Sequence, residues 1–264
     1  MQAFGKGVYS GEVTNASSNN GIVASITCYN PNNFNQQLHY HDNTHISFVL
    51  HGGSLEKKKD GYERLPGRLT SYYAGEPHQV MNVAKQSRHI NIEIEPAFFR
   101  ANNLTETGMF SALSKNPDAK YLMLDIYREI LSADEFSTAS IQLLLLNLIH
   151  NIEKYSSHGA IPAWVRVVKE QLHDRWDENI VLQNLADTAN VHPVTISKYF
   201  PKYFSCTLGQ YMRKLKIEKS LALVKEEGAS LTGVAYECGF ADQSHFIRTF
   251  KQLTGFLPAQ YQKL

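Results

Sequence analysis

The chain has 264 residues, 43% of them hydrophobic, with 26 Lys and Arg against 25 Asp and Glu for a net charge of +1. That length and composition suit one or two domains with well-formed cores. No run of eighteen apolar residues occurs, which excludes a transmembrane helix. The opening MQAFGKGVYSGEVTNASS lacks the apolar core of a secretory signal, and Cys28, Cys206 and Cys238 are scattered without pairing logic, so a cytoplasmic setting fits.

Residues 1–25, rich in Asn, Ser and Gly, read as an irregular lead into the first strand. From Ile22 to about Pro96 short apolar alternations recur between turn signals: IVASITCYN, HISFVLHG, GRLTSYYAG, QVMNVA and HINIEIEP. The spacing predicts an antiparallel β-sandwich or barrel of roughly eight strands. His39-Tyr40-His41 on a strand points both imidazoles to one side, and His78 is weighed with them. On residue type alone three readings stay open: metal ligands, the polar wall of an organic-ligand pocket, or histidines satisfied by structural hydrogen bonds. Tyr72 and Tyr73 read as core and rim. Lys57-Lys58-Lys59-Asp60-Gly61 reads as an exposed hairpin tip, and Asn91, Glu93 and Glu95 alternate as a solvated strand face.

After Pro96 the period becomes helical. Helices are predicted at 118–133 and 137–155, the second carrying Ile141, Leu144, Leu145, Leu148, Ile149 and Ile152 at i, i+3, i+4, i+7 spacing. Leu143 and Leu146 widen that stripe beyond one face, which predicts a homodimer through the two helices, or else their packing on each other and on the strands. Ser156-Ser157-His158-Gly159-Ala160-Ile161-Pro162 reads as a flexible linker, with the domain boundary at about residue 158. A new helix begins at Ala163, with Val165, Val168, Leu172 and Trp176 inward.

The remainder contains one pattern twice. Leu182, Leu185, Ala186 and Ala189 form a short apolar helix face. Asn190 stands where a left-handed turn residue is needed, His192 and Pro193 open the next helix, and Ile196, Tyr199 and Phe200 face inward. Forty-nine residues after Ala186, Ala235 repeats the arrangement: Val234, Ala235 and Cys238, then Gly239 for the turn, Phe240 as anchor, Asp242 as cap, and Phe246, Phe250 and Leu253 as the stripe. Each half is a helix-turn-helix, a motif that lays its second helix in a DNA major groove. The outward positions are Val194, Thr195, Ser197 and Lys198 in the first unit, and Gln243, Ser244, His245 and Arg248 in the second. The joining helix, near Leu208 to Glu226, carries Arg213, Lys214, Lys216 and Lys219, either as a solvated face or as phosphate contacts. Residues 161–264 hold 13 Lys and Arg against 10 Asp and Glu, a mild basic excess that does not indicate DNA binding alone.

On GFADQSHFIRTFK, TGFLPAQY and the LADTANV…ISKYF run, residues 161–264 resemble the DNA-binding domain of AraC/XylS-family transcription regulators. Pro201 and Ser205 depart from that pattern. Ser205 stands where the family commonly has Gly, and Pro201 predicts a shortened or kinked first recognition helix. Histidine and glycine placement over residues 35–85 resembles a cupin barrel, the sensor fold of many such regulators, although His45 stands where a metal-binding cupin brings a carboxylate.

The resemblance implies an α+β multidomain chain. Residues 1–158 would be a cupin-like antiparallel barrel with two appended helices, for effector sensing and dimerisation. Residues 159–264 would be an all-α tandem helix-turn-helix domain. It implies a DNA-binding regulator that is not an enzyme, leaning towards activation. Its partners would be promoter DNA, a small-molecule effector, a second copy of the chain and RNA polymerase, with no membrane. The effector would meet His39, His41, His78 and Tyr73, with residues 1–20 closing over it, and no metal or other cofactor is assigned. A metal-dependent cupin enzyme fused to a DNA-binding module is the alternative.

Overall fold

The computed structural model describes residues 1–58, 60–156 and 161–264, with backbone alone for 149–156. The chain forms two compact units, Met1–Ile149 and His150–Lys263. The expected boundary near 158, most of the linker, the side chains of Ile149 and Ile152, and Lys59 lie outside the described residues or side chains. Among the described residues no helix is long and apolar enough to cross a membrane.

Among its described residues the first unit is a sheet-rich region of ten strands: β1 (Gln2–Phe4), β2 (Glu12–Asn19), β3 (Ile22–Tyr29), β4 (His39–His41), β5 (Thr44–His51), β6 (Ser54–Lys57), β7 (Gly61–Arg64), β8 (Leu69–Tyr72), β9 (Gln79–Met81) and β10 (Ser87–Ile94). They form a five-stranded sheet of order β2-β3-β10-β5-β8, a three-stranded sheet β7-β6-β9 and a two-stranded pair β1-β4. No single closed barrel is identified from these pairings among the described residues, and β1 runs parallel to β4 where antiparallel pairing was expected. The irregular lead is corrected too: residues 2–4 and 12–19 are strands. β2 turns into β3 through Asn20-Gly21, whose φ of +48° and +79° make the tight hairpin that matches strand twist.

The central strands are buried on both faces. Ile22, Ala24 and Ile26, Ile46 and Phe48, and Ile90, Ile92 and Ile94 share one apolar face by register, and helix α3 (Ala119–Ser132) packs on β2 and β3. The other face carries Ser25, Thr27, His45, Ser47, His89, Asn91 and Glu93, all at most 4% exposed. The solvated face predicted for Asn91 and Glu93 is therefore an interior. Its polar groups satisfy one another: Asn91 Nδ2 donates to Thr27 Oγ1 (2.9 Å), Asn91 Oδ1 lies 3.1 Å from His45 Nε2, and Glu93 accepts from Asn43 Nδ2 (3.3 Å).

Among the described residues four helices lie between the sheets and the linker, where two were expected. α1 (Pro96–Ala101) and α2 (Glu106–Lys115) precede α3 and α4 (Ser137–Ser156). α1 is too short to show a period. α2 is announced by its cap, Thr105 accepting from the Gly108 amide at 3.0 Å.

The second unit is all helix: α5 (Ala163–Asp174), α6 (Leu182–Thr188), α7 (Pro193–Phe204), α8 (Leu208–Leu223), α9 (Leu231–Glu237), α10 (Gln243–Thr254) and α11 (Pro258–Lys263). Val168, Leu172, Leu185, Ala186, Ile196, Phe200 and Leu215 share one core, on which Trp176 packs from beyond the end of α5. The predicted turn residues take left-handed backbone, Asn190 at φ +51° and Gly239 at φ +66°. At Gly239 a Cβ would stand 1.8 Å from the Asp177 carbonyl oxygen. The Gly239 carbonyl accepts from Lys216 Nζ at 2.7 Å. Lys216 is thus buried inside the unit instead of offering its charge to phosphate, and burial pulls its pKa down.

Gly239→Ala adds both a close contact and left-handed strain, and is expected to cost about 3 kcal/mol or more. Asn190→Gly keeps the φ and should stay within roughly 1 kcal/mol of the parent. Urea melts of the two variants test this, and equal costs would refute the steric account of the second turn.

Candidate functional site

α7 and α10 are the second helices of their helix-turn-helix units, and both run twelve residues. Each has its first turn satisfied from the sequence. His192 Nδ1 accepts from the Val194 amide (3.2 Å) with Pro193 at the first helical position, and Asp242 Oδ1 accepts from the His245 amide (2.7 Å). Ile196, Phe200 and Phe204 anchor α7 inward. Phe246, Thr249 and Phe250 anchor α10.

The expected outward residues are accessible. Val194, Ser197, Lys198, Ser244 and Arg248 are exposed, while Thr195, Gln243 and His245 are half-buried. Gln243 Oε1 accepts from Thr232 Oγ1 (3.0 Å) on α9, which orients the amide and leaves its NH2 donors outward. The His245 ring sits edge-on to Phe240 at 5.2 Å. Arg248 makes no ion pair among the described residues.

Two expectations for α7 are corrected. Tyr199, read as inward, is 41% exposed, with Lys198 Nζ 5.3 Å from its ring centre. The stripe is carried by Ile196, Phe200 and Phe204, so position 199 turns past its edge. The Pro201 and Ser205 departures do not shorten the helix: α7 runs through Pro201 to Phe204 and matches α10 in length. Ser205 takes φ +61°, doing with a hydroxyl residue what Gly255 does at φ +77° after α10.

In the first unit, His39, His41 and His78 do meet, all at most 3% exposed, with one ring nitrogen of each within 4.8 Å of the others. The backbone brings them together. His39 and His78 exchange amide-to-carbonyl bonds of 3.0 and 2.9 Å, and the His41 carbonyl accepts from the Gly75 amide at 2.8 Å. Phe4 stacks on His39 at 4.4 Å, Tyr72 on His78 at 4.2 Å, and Tyr9 lies 5.7 Å from His41. Residues 4 and 9 thus cover the cluster from the N-terminal segment. Burial, reinforced by the neighbouring imidazoles, pushes His41 down to about 3 and His78 to about 4, so both rings are neutral near pH 7.

Tyr73 does not join them. It is 42% exposed and packs against Phe110 on α2 at 4.6 Å. Its neighbour Tyr72, on the other side of the strand, is the aromatic wall. Lys58 is drawn in as well: Nζ donates to Glu76 (2.8 Å) and lies 4.3 Å from the Tyr72 ring centre, so the hairpin tip is only partly free. Sequence reading also missed a buried ion pair, Arg64 Nη1 to Glu56 Oε2 at 3.0 Å, with Tyr62 and Tyr72 hydroxyls donating to the same carboxylate. Arg64 and Glu56 sit on short strands whose mixed composition carries no burial signal.

Comparison with known proteins agrees with the helix-turn-helix geometry. Residues 185–264 match the model of a helix-turn-helix domain family. An uncharacterised helix-turn-helix transcriptional regulator, YdeC of Bacillus subtilis, is 24% identical over 252 residues, covering 86% of each chain. The transcriptional activator RhaS of Escherichia coli O9:H4 is 25% identical over 125 residues, 46% of this chain and 45% of RhaS. Among solved structures, a probable AraC family regulator from Rhodopseudomonas palustris is 20% identical, covering 39% of this chain and 96% of that one with a TM-score of 0.37.

Proposed function

We propose that this DNA-binding transcription regulator of the AraC type is an activator controlled by a small effector, which binds in a cupin-like N-terminal unit and is signalled to a C-terminal unit reading two successive major grooves. The observation that carries the DNA reading is the presentation, from one helical unit, of two recognition helices of equal length with polar outer faces. Successive major grooves on one face of a duplex lie about 34 Å apart, so the site is a pair of short elements roughly ten base pairs apart. Gln243 and Arg248 are the base readers of α10, Arg forking onto guanine and Gln onto adenine. Ser244 and His245 flank them. In α7, Val194 meets a thymine methyl, Thr195 and Ser197 offer hydroxyls, and Lys198 meets a phosphate, with Tyr199 beside it.

The sensing site is the histidine cluster, closed by the strap that carries Phe4 and Tyr9. The effector acts by favouring one arrangement of strap and sheet over another, since only differential affinity shifts a conformational equilibrium. Three large apolar side chains, Leu131 on α3, Phe136 before α4 and Leu143 on α4, are 49%, 67% and 59% exposed. They support these helices as a homodimer surface. Activation makes RNA polymerase the protein partner, in the cytoplasm.

Arg248→Ala and Gln243→Ala are each expected to cost about 1–3 kcal/mol of affinity for the cognate duplex and to relax the preference at one base position. Lys198→Ala should instead weaken all duplexes alike and lower the salt slope by about 1. Fluorescence anisotropy on a duplex panel measures both, and intact affinity and preference in the α10 variants would remove that helix as the reader. A footprint confined to one groove would show that only α10 engages DNA.

Dimerisation is tested by sedimentation at tens of micromolar. Phe136→Glu with Leu143→Glu should convert a dimer to a monomer without loss of helical signal, and a monomeric parent protein, with or without DNA, counts against the interface.

A further inference from the structure

We infer that His39, His41 and His78 form a binding site for one divalent transition-metal ion, with Glu93 as the carboxylate that positions His41. This deepens the sensor reading by naming the chemistry of its ligand, and rests on it only for the regulatory consequence.

The argument begins with the ring nitrogens. His39 Nδ1 lies 2.9 Å from the Gln37 carbonyl oxygen and His78 Nδ1 lies 3.2 Å from that of Glu76. A carbonyl only accepts, so each Nδ1 carries the proton and each Nε2 keeps its lone pair. Anchoring the far nitrogen on a backbone carbonyl is how proteins fix the tautomer and direction of a ligating imidazole. His41 Nδ1 is buried without a hydrogen-bond partner, and the nearest carboxylate oxygen, Glu93 Oε1, stands 4.0 Å away. Glu93 is itself held from other directions, by the Gly7 amide at 3.1 Å and Asn43 Nδ2 at 3.3 Å. About 1 Å separates His41 Nδ1 and that oxygen from hydrogen-bond distance, and a bond there would leave Nε2 as the ligating atom, as in His39 and His78.

The dimensions fit. Metal–imidazole bonds of about 2.0–2.1 Å in a tetrahedral site separate the nitrogens by roughly 3.3 Å, so three residues with one ring nitrogen each within 4.8 Å of the others close on an ion by shifts of about 1 Å each. The reciprocal backbone bonds between His39 and His78 keep two of the three in place during that closure. Three neutral imidazoles with no carboxylate among the ligands suit zinc, copper, nickel or ferrous iron, and do not suit magnesium or calcium, which take oxygen donors. The missing carboxylate of the His-x-His segment is therefore replaced in kind, but from β10 and behind the ligand.

The full-length protein, stripped with chelator and dialysed against Zn2+, is expected to hold one ion per chain by elemental analysis. Bound Co2+ is expected to give the intense visible absorption of a low-symmetry site, and X-ray absorption of the zinc form should show imidazole nitrogens as the protein ligands. These three measurements need no variant, and failure to take up a stoichiometric ion overturns the site. His39→Gln and His78→Gln should abolish uptake. Glu93→Gln, which keeps the shape, should weaken it by about 10- to 100-fold, while unchanged affinity would remove Glu93 from its positioning role. His192→Gln in the other unit should change nothing in uptake. Zn2+ at a hundredfold excess over its dissociation constant should raise the melting midpoint of the N-terminal unit by roughly 5 °C. Stoichiometric uptake with unaltered DNA affinity leaves the metal site standing and overturns the sensor reading instead.

Discussion

The placement of α10 depends on a close approach at one residue. Helices of seven residues such as α9 cannot stand alone, because nucleation costs more than so few bonds return. α9 is held by packing Val234 and Ala235 inward, and the chain must then reverse sharply to set Phe246 and Phe250 against the same core. Gly239 makes that reversal at φ +66°, with the Asp177 carbonyl where a side chain would begin and Lys216 Nζ bonded to its own carbonyl. A lysine amine from α8 and the backbone ahead of α6 thus converge on the second turn. The outward presentation of Gln243, Ser244 and Arg248 on α10 follows from that junction.

The first unit rests on a different constraint. Its five-stranded sheet has an apolar face and a polar face, and both are buried. Removing so many hydrogen-bonding groups from water is costly unless they partner one another. The Thr27–Asn91–His45 chain and the Glu56–Arg64–Tyr72 group supply those partners. A buried ion pair is weak evidence of stabilisation, since desolvation offsets much of its attraction. His41 Nδ1 and His45 Nδ1 remain buried without hydrogen-bond partners.

Much of this was legible in the sequence. In the second unit the helical period, Asn190 and Gly239 at the turns, Pro193 and Asp242 at the helix starts, and the polar positions between Phe240 and Phe250 all report local geometry. Local geometry is what residue type encodes through steric and capping preferences. The same holds for the meeting of His39 with His41, two residues apart on one strand, whereas the hairpin at Asn20-Gly21 lay inside a stretch read as irregular. Failures came where burial is set by distant chain. Asn91 and Glu93 alternate as solvent-facing residues do, and only the covering strands decide that they face inward. Tyr72 and Tyr73 are chemically alike, and strand parity alone sends one to the histidines and the other to Phe110. Tyr199 missed the core by one helical step, and Lys216 left the surface for a carbonyl twenty-three residues away.

The sequence by itself determined that this chain is a tandem helix-turn-helix regulator with a strand-rich partner unit, because helical period, turn chemistry and capping are local properties repeated twice in the same order. The tertiary structure alone decided which polar groups lie inside, that β1 pairs parallel with β4 and carries Phe4 over His39, and that Glu93 comes within 4.0 Å of His41 across fifty-two residues. Those are non-local pairings. Their free energy comes from desolvation and from hydrogen bonds between segments whose meeting no short window of sequence records.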